Sequence, residues 1–112
     1  MTQQSIEQER RRFQRLKVTC KVSIIAGSDR LEGKTLDISS KGMLVQSGRL
    51  LSVGSTVNVG VELSPGAAPI RASARVVRVI GQEFAGLEIQ DMNAEDVYRW
   101  HEFLLPLNTS RK

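Results

Sequence analysis

The sequence predicts an all-β fold in which six short antiparallel strands form a barrel or sandwich and a single helix follows at the C-terminal end. Three observations carry this reading. Several segments alternate apolar and polar residues at period two, turn signals recur about every 8 to 15 residues, and the only helical pattern comes last. A chain of 112 residues is about one domain's length and can bury a modest core without metals or disulfides. Its composition, 40% hydrophobic and 25% charged, is that of an ordinary globular protein. No apolar run approaches the roughly 20 residues that span a bilayer.

Residues 1–15 are rich in Gln, Glu and Arg and predict a flexible arm, with the folded body over 16–107 and a short tail over 108–112. Strand one is expected from Val18, because Val18, Cys20, Val22 and Ile24 share one face. After the turn at Gly27-Ser28-Asp29, a second strand is expected over 30–39, weakened by Gly33. Gly42 opens a third, to about Ser47. Val57, Val59, Val61 and Leu63 define a fourth, ended by Ser64-Pro65-Gly66. Residues 70–80 form a fifth whose phase breaks at the adjacent Val76-Val77, the signature of a β-bulge. A sixth runs over 83–90. Asn93 is the expected N-cap of a helix that reaches Leu105 and is stopped by Pro106, with Val97, His101, Leu104 and Leu105 on its apolar face. Such a helix would cover an open end or seam of the barrel.

Catalytic readings find little support. Ser39 and Ser40 lie in no G-x-S-x-G elbow, no Gly-rich loop has the spacing of a phosphate cradle, and one histidine with one cysteine makes neither a metal cluster nor a disulfide. No enzyme, metal or cofactor is expected. His101 reads as a half-buried packing residue and Cys20 as a small core residue. Tyr98, Trp100 and Phe103 read as packing or interface aromatics. The polar N-terminus lacks the charged and apolar regions of a secretory signal, which predicts a cytoplasmic protein.

Charge is concentrated. The four arginines Arg10, Arg11, Arg12 and Arg15 account for the whole formal net charge of +4. One cluster on a neutral body points to a compact anionic partner. A second polar stretch, Asp37-Ile38-Ser39-Ser40-Lys41-Gly42, ends strand two. By alternation Leu36 and Ile38 should face inward and Asp37 and Ser39 outward together, while Gly42 permits close approach of a ligand. An outward carboxylate can accept from a base amino group, and arginine forks match both guanine and phosphate. Taken singly, the first stretch also reads as a solvated tail and the second as a turn that caps its own backbone. Together they could hold a guanine nucleotide.

In combination these residues resemble the PilZ domain family, whose pattern is RRxxxR before the first strand and [D/N]xSxxG after the second. Here the matching residues are Arg10, Arg11 and Arg15, then Asp37, Ser39 and Gly42. The resemblance implies a six-stranded split barrel with a C-terminal helix that binds the bacterial second messenger cyclic di-GMP without catalysis. It implies that Arg11 and Arg15 contact guanine edges and phosphates, that Asp37 and Ser39 read the base, and that Gly42 keeps the floor open. In the family the residue before RxxxR influences stoichiometry; Arg10 at that place implies an intercalated dimer of the ligand. Arg12 and Ser40 are additional candidates. The expected output is a ligand-ordered arm that switches contact with a downstream protein in motility, biofilm or exopolysaccharide control. The competing reading is a single-stranded nucleic-acid-binding barrel using the basic arm, and a third is an interaction module with a vestigial site. The strands offer no aromatic platform for the former, since Phe13 and Phe84 are the only phenylalanines before the helix.

Overall fold

The computed structural model describes residues 15–109. In chain order these form β1 (Lys21–Ala26), β2 (Asp29–Ile38), β3 (Gly42–Gln46), β4 (Thr56–Glu62), β5 (Ile70–Ile80), β6 (Phe84–Met92) and α1 (Ala94–Thr109). All neighbouring strands pair antiparallel, and they close into a barrel in the order β1-β2-β3-β6-β5-β4. Closure decides for the barrel over the sandwich and leaves no unpaired edge among the described strands. Most of the expected arm, residues 1–14, and the end of the expected tail, residues 110–112, lie outside the described residues.

Alternation fills the barrel. Val22 and Ile24 of β1, Val57 and Val59 of β4, and Met43 and Val45 of β3 are buried in one core. β1 begins three residues later than its alternation predicts, and Thr35 is the reason. Its buried hydroxyl accepts from the Cys20 backbone N–H at 2.8 Å and donates to the Val18 carbonyl at 2.7 Å. A side chain thus takes the place of ladder bonds, while Cys20 still packs inward. Burial pushes the Cys20 thiol pKa up, against the opposing effect of its hydrogen bond with Thr35.

The expected bulge in β5 is present: the register against β6 shifts between Val76 and Arg78, leaving Val77 outside the ladder. It re-aims the strand, so that Val77 and Arg78 are both exposed.

The helix departs from expectation in two ways. Pro106 does not stop it, and α1 continues to Thr109. Proline's φ of about −65° is itself helical, so the penalty is one lost hydrogen bond and crowding of the preceding turn, not a forced exit. The buried face is also rotated. Asp96, Trp100 and Leu104 are buried with Phe103 packed against the core, whereas Val97, His101 and Leu105 are exposed. Polar anchors fix that rotation. Asn93 Oδ1 caps the Asp96 N–H at 2.9 Å, and Asp96 Oδ2 accepts from the Arg71 backbone N–H of β5 at 3.1 Å. The Trp100 indole N–H then donates to the Ser39 carbonyl at 3.0 Å. His101 is consequently a surface residue and not a packing one.

Candidate functional site

The two polar stretches meet because Leu16 bridges to Ile38. Its N–H donates to the Ile38 carbonyl at 2.7 Å and its carbonyl accepts from the Ile38 N–H at 2.9 Å. This antiparallel bridge sets Arg15 beside the end of β2. Arg15 Nε then donates to Asp37 Oδ1 at 2.8 Å. Arg15 is 42% exposed at its side chain and Asp37 16%, so the pair sits at the surface with its carboxylate partly sheltered. Such a pair contributes roughly 0 to 1 kcal/mol, enough to bias the arginine's position and little enough for a ligand to displace. It uses only the Nε edge, and the guanidinium carries two further NH2 groups.

Ser39 does not stand outward beside Asp37 as alternation predicts; it is 1% exposed. The physical reason lies just upstream. The β2–β3 register shifts between Thr35 and Asp37, so Thr35 and Ile38 both face the core and Leu36 is left half-buried. The chain then turns sharply. The Ser39 N–H donates to the Gly42 carbonyl at 2.8 Å, and its hydroxyl accepts from the N–H groups of Lys41 and Gly42 at 3.3 and 3.2 Å.

Gly42 is required by strand packing. A Cβ there would run into the Leu87 carbonyl oxygen of β6. The close approach that its missing side chain permits is therefore that of a neighbouring strand.

Beside this turn lies a cleft of about 580 Å³, within the roughly 300 to 1,000 Å³ usual for small-ligand sites. Arg15, Ser39, Lys41 and Gly42 of β3 on one flank, and Val77 and Arg78 of β5 on the other, border Gly86, Leu87 and Glu88 of β6, the strand that pairs with both β3 and β5. Three cationic side chains against one carboxylate give it positive character. Asp37 does not line the cleft but holds Arg15 at its rim. Ser40 faces a different cleft of about 520 Å³, bounded by Trp100 and His101 of α1. Arg10, Arg11 and Arg12 lie outside the described residues. Arg78 and Gly86 escaped sequence reasoning, although the broken phase at Val76-Val77 marked where β5 turns a side chain outward.

The family model described as PilZ domain matches residues 9–104, the span that holds both motifs and the whole barrel. The chain belongs to the PilZ domain family. This is a family of cyclic di-GMP receptors, generally without catalytic activity. Among solved structures, this PilZ domain is similar to the Bacillus subtilis inhibitor of motility MotI/DgrA, with TM-score 0.75 and 18% identity over 92% of this chain and 53% of that one. It therefore spans about half the length of the motility inhibitor. It is also similar to the PilZ domain of CeSA from a cellulose-synthesizing bacterium, with TM-score 0.65 and 21% identity over 85% of this chain and 98% of that one. At these identities the likeness shows the shared barrel. No curated protein matches the chain. No helix among the described residues is long and apolar enough to cross a membrane.

Proposed function

We propose that this PilZ domain is a non-catalytic receptor for cyclic di-GMP, bound where the Arg15 and Asp37 stretches converge. One observation carries the reading: residues 22 positions apart are brought to 2.8 Å at the rim of a cationic cleft. The ligand's phosphates and guanine edges are the partners that arginine forks fit. Arg15 supplies one fork, and Arg10 and Arg11 of the same stretch supply further positive charge. Asp37 orients Arg15 and accepts from guanine once the ion pair opens. Ser39 and Gly42 act mainly by fixing the turn that shapes the cleft. Arg10 favours two stacked ligand molecules, whose four phosphates call for that many cations, with Arg12 as an additional contact. Ser40 belongs to the neighbouring cleft and has a smaller role.

Ligand would draw the residues before Arg15 onto the barrel by neutralising like charges that otherwise repel, and the new surface would alter contact with a downstream protein. The named activity of the motility inhibitor and the origin of the CeSA domain make motility and exopolysaccharide synthesis the processes to examine. Isothermal titration with cyclic di-GMP, GTP and a short RNA in parallel tests the proposal. Saturable heat with the cyclic ligand alone supports it, and tight RNA binding without it would favour a nucleic-acid-binding barrel.

A further inference from the structure

Arg78 sits on β5 directly after the bulge, and its ladder partner on β6 is Gly86. Because Gly86 has no side chain, the arginine stem lies down in that space. A Cβ built on Gly86 would come within 3.0 Å of both Cγ and Nε of Arg78. Stem and Nε thus rest against the strand backbone, and the outer side of the group is what the cleft meets. Glu88, the acid of the same cleft, is engaged by the Gln90 amide at 3.4 Å. Val77, 46% exposed, supplies apolar surface alongside.

A phosphate approaches a guanidinium in its plane, along the N–H edges, whereas an aromatic base packs on its face. An arginine held down on a sheet with its outer face open suits the second. We infer that Arg78 is a stacking platform for a guanine base, on the β5 flank of the cleft that Arg15 also lines. Gly86 is the residue whose missing side chain makes room for that pose. The inference rests on the cyclic di-GMP reading and adds a contact outside both sequence motifs.

Calorimetric titration of cyclic di-GMP into the wild-type chain, Arg78→Ala and Arg78→Lys, with a thermal melt of each, tests it. Arg78 is exposed, so both variants should melt with the wild type. Both should bind at least about tenfold more weakly, because lysine keeps the charge and loses the plane. Wild-type affinity in either variant would overturn the stacking role while leaving the receptor reading intact. A wild-type chain that binds no cyclic di-GMP would overturn both.

Discussion

Trp100 of the helix donates its indole N–H to the backbone carbonyl of Ser39 at 3.0 Å, joining residues 61 positions apart and tying α1 to the turn that shapes the cleft. Both partners are buried, so the carbonyl has no ready substitute in water. Trp100→Phe keeps most of the apolar contact and orphans that acceptor. The expected loss is about 1 to 3 kcal/mol, read by chemical denaturation. As the chain's only tryptophan, Trp100 should also change its emission when ligand occupies the cleft beside Ser39.

Gly42→Ala separates the two meanings of the second motif. The added methyl meets the Leu87 carbonyl, part of the β6 backbone, which cannot move without breaking the β3–β6 ladder. The variant should lose about 1 to 3 kcal/mol or more in a thermal melt, before any ligand is added. A variant that melts with the wild type would contradict the strand-packing role.

Thr35→Val removes a hydroxyl that serves two backbone groups at once, the Cys20 N–H and the Val18 carbonyl. The near-isosteric valine fills the space and leaves both groups unpaired, at a cost of about 1 to 3 kcal/mol each. Hydrogen exchange should show the Cys20 amide losing protection. The effect should stay at the start of β1.

Cys20 should make stability decline at alkaline pH. Its thiol pKa is raised in the folded state by burial, above the ordinary value of 9.0 that the unfolded chain keeps. Below that value both states hold the proton and the pH has no effect through this group. Above it the unfolded chain releases the proton first, so stability falls as pH rises towards the folded pKa. Denaturation measured from pH 8 to about 10.5 should show this decline, with a smaller slope in Cys20→Ala.

Much of the fold was legible in the sequence, because strands with one buried face must alternate. All six strands overlap the spans that alternation and turn signals predict, with β1 starting three residues late, and the bulge at Val77 was visible as two adjacent valines. What escaped depends on contacts between distant segments. The helix face followed Trp100, held by the Ser39 carbonyl, and not the apolar count that favoured His101 and Leu105. Ser39 turned inward because a register shift at Leu36, set by pairing with β3, changed the phase of the last strand residues. Of the candidate site, the residue types of the Arg15 and Asp37 stretches suggested one shared ligand, but their direct ion pair without ligand was not foreseen, because the distant Leu16–Ile38 bridge creates it. The β5 flank was not legible either, since only the β5–β6 register brings Arg78 over Gly86 and into the same cleft.

If the converging motifs bind cyclic di-GMP, calorimetry on wild type, Arg15→Ala and Asp37→Ala, with melts alongside, will show it. The pair sits at the surface with the Asp37 carboxylate partly sheltered, so each substitution should change stability by about 1 kcal/mol or less. Arg15→Ala should cost at least about 1 to 3 kcal/mol of binding, with Asp37→Ala weakening it as well. Saturable wild-type binding that both variants weaken is the result predicted here. Wild-type affinity in both variants, or no binding by the wild-type chain, would contradict it.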